Sequence, residues 1–273
     1  MNFYRYLWIF ILIINYSIYS QSIDSNFTLV IDPGHGGKDP GNTGNGYLEK
    51  KIALSIGLKI GERLKKYKNI SVIYTRKTDV FVDLYRRAKI ANDVQADLFI
   101  SIHCDAHTSN AYGAGTFVLG LHANERNFKI AQKENSVIFL EDDYQQKYEG
   151  FDPNNPESVI SLVLMQEDYL DKSIVAANFI QKSFVNRLKR RDRTVKQAGF
   201  LVLRNTFMPS VLVETGFLTN KSEGSYLNSN KGQNEMADAI SDAIINYFEA
   251  LDNPSKSFEN LTRIDKYDFK IQI

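Results

Sequence analysis

Phe27–Asp32, FTLVID, runs straight into Pro33-Gly34-His35-Gly36-Gly37, and this junction decides the fold. The apolar, β-branched run reads as a buried strand, which Pro33-Gly34 breaks, leaving a histidine at its carboxyl end. Outward from it, short β-branched runs alternate with amphipathic stretches. Leu48–Tyr67 predicts a helix with Ile52, Ile56, Ile60 and Leu64 along one face. Ile70–Tyr74 predicts a strand, Val82–Val94 a helix, and Leu98–Ile102 and Thr116–Leu121 further strands. Residues 171–190 predict a helix with Ala176, Ile180, Phe184 and Leu188 on one side. Phe200–Leu203 and Ser210–Val213 read as strands, and Met236, Ile240, Ile244 and Phe248 mark a closing helix. Strands alternating with helices predict an α/β fold whose parallel or mixed sheet is covered on both faces.

The composition fits one such domain. The 273 residues are 43% apolar and 24% charged, which excludes a wholly disordered or collagenous chain. Lys+Arg is 33 and Asp+Glu 32, so nothing in the charge points to nucleic acid as a partner. A single cysteine, Cys104, forms no intrachain disulfide, so stability must come from a core. Residues 1–20 differ from the rest: Arg5 precedes the apolar run Leu7–Tyr19, which is shorter than the ~20 residues of a membrane span. This reads as a secretory signal, with a retained anchor as the alternative. The expected location is therefore outside the cytoplasm, periplasmic or secreted. Residues 252–273 read as a polar tail.

Candidate chemistry gathers at strand ends, where open α/β sheets build their sites. His35 follows the first strand in DPGHGG, His103 follows Leu98–Ile102 in SIHCDAH, and Glu214 follows Ser210–Val213 in VLVETG. Any one of these alone reads equally as a hydrogen-bonded polar group. Glu49 discriminates. It precedes Ile52, Ile56 and Ile60 by 3, 7 and 11 residues, so at ~100° per residue it falls within about 20° of the apolar stripe's centre. A carboxylate facing the core is costly unless it is paired or binds a metal. A first-turn glutamate serving only the helix dipole would do as well on the solvent side. His35, Glu49 and His103 make a mixed nitrogen and oxygen set suited to Zn²⁺ with an open fourth position. Glu214 is then the candidate to move a proton in metal-assisted amide or ester hydrolysis.

These residues sit in text that resembles the zinc-dependent N-acetylmuramoyl-L-alanine amidases of the cell-division type. The matching segments are IDPGHGGKDPG, Leu48-Glu49-Lys50, TRKTD, LYRRAKIAN, DLFISIHCDAH, GAGTFVLG, KQAGFLVLR and PSVLVETGFLTN. The resemblance implies a three-layer α/β/α catalytic domain over residues 27–250, with His35, Glu49 and His103 as zinc ligands and Glu214 as the catalytic glutamate. It also implies hydrolysis of the lactyl–L-alanine amide of peptidoglycan, in wall remodelling or daughter-cell separation. A zinc peptidase cutting within the stem peptide, and a non-catalytic wall-binding protein, are the alternatives. Cys104 stands where the family carries various small residues, and is expected as a small buried hydrophobe.

Residues 122–170 are too long for a simple connection and form a candidate regulatory insertion. Some members of the resembled family occlude the zinc with a helix from this region, which a partner protein lifts. On that pattern an acidic side chain fills the fourth position, with Glu141 expected ahead of Glu134 and Asp142; the alternative is a segment that only shapes the substrate cleft. His107 lies in a polar loop and is expected to contact substrate rather than metal, and His122 is expected to be solvated. Arg87 reads as a structural ion-pair partner. The basic run Arg187, Lys189, Arg190, Arg191, Arg193 and Lys196 reads as a solvated helix end, or as a holder of anionic wall polymer.

Overall fold

The computed structural model describes residues 25–120, 125–155, 158 and 167–252. The expected signal over residues 1–20, His122, part of the insertion and the tail beyond residue 252 lie outside the described residues. Strands β1 (Phe27–Pro33), β4 (Ile70–Tyr74), β5 (Leu98–Asp105), β6 (Ala114–Leu119), β7 (Asp192–Ala198) and β8 (Ser210–Phe217) form the central sheet. Their spatial order is β4-β1-β5-β8-β6-β7. All neighbours pair in parallel except β6 with β8, so the sheet is mixed and mostly parallel. A short hairpin, β2 (Thr43–Gly44) with β3 (Tyr47–Leu48), leads into the first helix.

Alternation along the strands divides the core into two. Leu29, Ile31, Ile100, Ile102, Val211 and Val213 face helices α1 (Glu49–Leu64), α5 (Glu167–Asn186) and α8 (Asn230–Asp252). Val30, Phe99, Phe117 and Leu212 face the other way, towards α2 (Leu84–Asp93), α3 (Glu125–Asn135) and the helical turn α6 (Leu201–Arg204). The result is the expected three-layer α/β/α arrangement. The stripe Ile52, Ile56, Ile60 and Leu64 is fully buried, each side chain contributing about 1.5–3 kcal/mol. Two shorter helices, α4 (Tyr144–Lys147) in the insertion and α7 (Lys221–Asn228) after β8, and a 3-10 turn over Ser136–Leu140 complete the described elements.

The structure corrects several expected elements. Phe200–Leu203 is not a strand: Leu201–Arg204 is a helical turn, whose Leu201 N–H donates to Asn135 Oδ1. The edge strand lies just before it, in the polar DRTVKQA segment. The helix expected over 171–190 spans Glu167–Asn186, and Lys189 beyond it takes a left-handed turn at φ 53°. β5 and β8 run further than expected, so His103 and Glu214 lie within their strands and face each other in register.

Candidate metal centre

The first ligand candidate owes its position to its glycines. His35 itself adopts a left-handed backbone at φ 59°, a strained state for a non-glycine residue and one found at functional sites. A Cβ on Gly34 would lie 2.5 Å from the His103 ring, and one on Gly41 would lie 2.6 Å from the His35 ring and 2.7 Å from Glu49 Oε2. Only glycine lets these backbones approach so closely. Glu49 opens α1 and is fully buried; its Oε2 accepts from Asn42 N–H at 2.6 Å and its Oε1 from Cys104 N–H at 2.8 Å.

Four buried side chains, His35, Glu49, His103 and Glu134, bring donor atoms within 4.8 Å of one another. His35 Nε2 lies 3.1 Å from Glu49 Oε1 and 3.2 Å from Glu134 Oε2. His103 Nδ1 lies 3.1 Å and 3.2 Å from the same two oxygens. Four bonds of ~2.0–2.1 Å to a tetrahedral zinc place ligand atoms ~3.3–3.4 Å apart, close to the four histidine–carboxylate separations. Despite this proximity, His35 Nε2 and Glu134 Oε2 make no hydrogen bond. That is the pattern of lone pairs aimed at a common centre.

The surrounding bonds fix both imidazole tautomers. His35 Nδ1–H donates to Asp39 at 2.7 Å, which leaves Nε2 bare towards the centre. The Ser101 hydroxyl donates to Asp32 at 2.7 Å, so its oxygen accepts from His103 Nε2–H at 3.0 Å and His103 Nδ1 is left bare. Asp32 is in turn held by Arg87 Nη1 at 2.6 Å and by the Thr75 hydroxyl at 2.5 Å. Arg87 is thus the expected structural ion-pair partner; it also donates to the Pro33 and His35 carbonyls. Such partners orient metal-binding histidines and raise their basicity.

Electrostatics fit a cation. Burial lowers the proton affinity of His35, but the Glu49 and Glu134 carboxylates outweigh it and raise its pKa well above the usual value. His103, opposed by burial but favoured by Glu134 and Glu49, is raised to about 9. Burial works against the carboxylate of Glu134, yet the two imidazoles bring its pKa down to about 2. The two carboxylates thus favour positive charge between the two imidazoles, which a divalent cation supplies in place of ring protons.

Glu214 stands next to this centre. It pairs with His103 across β5 and β8, and neither carboxyl oxygen makes a hydrogen bond. Burial, followed by repulsion from Asp105, Glu134 and Glu49, raises its pKa well above the usual value. A carboxyl in that state takes up a proton more readily than an exposed one, as a group that passes a proton must.

The expected residues His35, Glu49 and His103 therefore converge, with Glu214 beside them. The acidic side chain from the insertion is corrected. Glu141 does not reach the centre: it accepts from Leu84 N–H and the Tyr148 hydroxyl, each at 2.8 Å, fastening the insertion to the start of α2. Asp142 is exposed. Glu134, on α3, is the fourth member. With it come Asn135 and Val137, which line with His35 and His103 a cavity of about 20 Å³, roughly room for one water. His107 is exposed and bonds to Ser109, outside the cluster. Cys104 is fully buried, as expected of a small hydrophobe.

Comparison with known proteins gives a consistent picture. Residues 29–246 match the sequence model of the family described as N-acetylmuramoyl-L-alanine amidase. The chain is similar to the N-acetylmuramoyl-L-alanine amidase AmiA of Salmonella typhimurium, at 36% identity over 86% of this chain and 80% of that protein. It is 35% identical to AmiA of Escherichia coli K12, over 82% of this chain and 77% of the relative. Among solved structures, the N-acetylmuramoyl-L-alanine amidase of Clostridium difficile 630 superposes with a TM-score of 0.64 and 28% identity, covering 83% of this chain and 99% of that one.

Proposed function

Because the chain belongs to the N-acetylmuramoyl-L-alanine amidase family, we propose a division of labour for its hydrolysis of the amide between N-acetylmuramic acid and L-alanine in peptidoglycan. His35, Glu49 and His103 hold a zinc ion, Glu214 moves the proton, and Glu134 keeps the site off until its helix is displaced. Bound zinc supplies Lewis acidity, polarising a carbonyl and making water a competent nucleophile near neutral pH. Glu214 takes the proton from the attacking water on its carboxylate and delivers it to the departing L-alanine nitrogen. The observation that carries this reading is the convergence of four buried donor atoms within 4.8 Å of one another, beside a carboxyl with no hydrogen-bond partner.

The off state rests on Glu134, which converges with the three zinc ligands. Glu134 fills the fourth position, and the cavity of about 20 Å³ that it shares with His35 and His103 is far below the ~300–1,000 Å³ usual for a substrate pocket. Substrate entry therefore requires α3 to leave, and a partner protein that binds the insertion is the natural trigger. The enzyme works outside the cytoplasmic membrane, where its substrate lies, after export on residues 1–20, in wall remodelling or daughter-cell separation.

Glu214→Gln separates binding from chemistry. The variant is expected to keep full zinc by metal analysis and to lose activity by ~10²–10⁴-fold, the usual share of general acid–base catalysis. Free stem peptides beginning at L-alanine, identified by mass spectrometry from purified peptidoglycan, mark the amidase. Cuts within the stem, or a metal-free Glu214→Gln protein, would overturn the assignment.

A further inference from the structure

The basic run singled out in the sequence divides in two. Arg187 pairs with Asp238 and Asp242, and Arg190 with Glu223, so these arginines are structural. Arg193 and Lys196, further along on β7, have no carboxylate within ion-pair distance among the described residues. Each is instead seated on a ring: the Lys196 ammonium lies 4.8 Å from the centroid of Phe117, and the Arg193 guanidinium 4.8 Å from that of Phe217. Aromatic seats orient cations without neutralising them.

Their position is close to the chemistry. A Cβ on Gly115 would meet Arg193 Cβ at 3.1 Å and Lys196 Nζ at 3.2 Å, so the ammonium occupies the space left by a missing side chain. Gly115 stands directly opposite Glu214 in the β6–β8 register. Neighbouring strands are about 4.8 Å apart, so Lys196 Nζ sits one strand away from Glu214. Arg126, on α3, adds a third positive charge; burial and then the two guanidiniums of Arg193 and Arg126 lower the Lys196 pKa to about 8. Asp105 and Glu214 are the acidic groups that act on Lys196, and neither pairs with it. Three cations crowded beside a reaction centre are unfavourable until an anion joins them.

We propose that Lys196 and Arg193, the two cations that stay on β7 when α3 and its Arg126 leave, form a subsite for the free main-chain carboxylate of the second stem residue, the glutamate joined through its side chain. This rests on the amidase reading and adds a substrate feature to it. The lactyl carboxyl is consumed in the scissile amide and the neighbouring sugars are neutral, so the nearest anion to the bond is on the stem. One extended residue spans ~3.3–3.6 Å, which brings that carboxylate within reach of an ammonium one strand from Glu214. Farther out the same charge continues: Arg191 lies over Tyr112, at an open concavity of about 560 Å³ that also holds Lys189 and Lys221. Later stem carboxylates meet it there.

Walls differ in whether this carboxyl is free or amidated, and that difference supplies the test. Two muramyl tripeptides, identical except for a free carboxylate or a carboxamide at the second residue, are given to the zinc-loaded full chain and kcat/KM is measured. The free acid is expected to be preferred by about tenfold, within the range of one charge-assisted hydrogen bond. Lys196→Met and Arg193→Gln should each bring the preference to within about twofold by slowing only the free acid, and Lys196→Arg should retain it. Equal rates on both substrates, or a Lys196→Met loss shared equally by both, would overturn the subsite while leaving the amidase reading intact. Cleavage of neither, even by a Glu134→Ala variant, would overturn the amidase reading itself.

Discussion

Removing the Glu134 carboxylate should switch the enzyme on. In the closed arrangement Glu134 Oε2 lies 3.2 Å from both His35 Nε2 and His103 Nδ1. In the zinc-loaded enzyme that oxygen would be the fourth ligand, and losing one charge-assisted contact there costs at least as much as a hydrogen bond to a charged group, about 1.5–3 kcal/mol. The other fastenings of the insertion survive in Glu134→Ala: Glu141 with Leu84 and Tyr148, and Asn135 with the Gly199 carbonyl and Leu201 N–H, at 2.7 and 2.8 Å. The helix therefore stays folded and docked most of the time, but the closed state loses about 1.5–3 kcal/mol against the open one. At 1.4 kcal/mol per tenfold, the open fraction rises by ~10–100-fold, until opening ceases to be limiting.

The assay is dye release from labelled peptidoglycan by the full chain, at matched zinc content and without any partner. Basal activity should rise by that factor. Glu141→Gln, which keeps a weaker acceptor for Leu84 N–H, should give a smaller rise of a few-fold, through looser docking. A folded, zinc-loaded Glu134→Ala enzyme with unchanged or lower activity would refute the off state and would mean that the insertion holds substrate.

Asp39→Asn replaces the carboxylate that orients His35 with an amide, and should weaken zinc affinity by ~10–100-fold, measured by chelator competition, with the fold intact by circular dichroism. Asp32→Asn leaves the buried Arg87 guanidinium without its charge and should cost ~3–5 kcal/mol in urea unfolding at pH 7. Burial opposes the Asp32 carboxylate, but Arg87, Thr75 and Ser101 outweigh it and hold its pKa below the usual value. Its stabilisation is therefore complete above the unfolded pKa of ~3.9 and is lost as pH falls through the lower folded value. The difference between wild type and Asp32→Asn should accordingly shrink below about pH 4, and a constant difference down to pH 2 would remove Asp32 as its source.

Sequence reading succeeded where a side chain's environment repeats along an element. The i+4 stripe of α1 predicted both the buried face and the anomaly of Glu49 on it, and the structure buries both. His35 was legible because Pro33-Gly34 ends a strongly apolar strand. β7 was missed because an edge strand buries little: of DRTVKQA only Ala198 is fully buried, so the alternation that marks a strand was absent. The turn at Leu201–Arg204 was misread because its apolar residues are as buried as a strand's, and burial alone carries no period.

Glu134 obeys the same rule as Glu49, yet the sequence placed it behind Glu141. Both are carboxylates on the buried side of a helix, and both are held there by imidazoles. On α1 the neighbours at that face are isoleucines, so a charge among them stands out. On α3 the buried neighbours are Asn127, Ala131 and Asn135, which bond to or pack against the domain edge. A face so polar gives a glutamate no contrast. The same polarity suits a helix that must leave: exposing Asn127 and Asn135 to water costs far less than exposing isoleucines at about 1.5–3 kcal/mol each. The feature that hid the fourth carboxylate from a hydrophobicity argument is therefore the one that keeps its helix detachable, whereas α1, with Glu49 on an isoleucine face, is fixed for good.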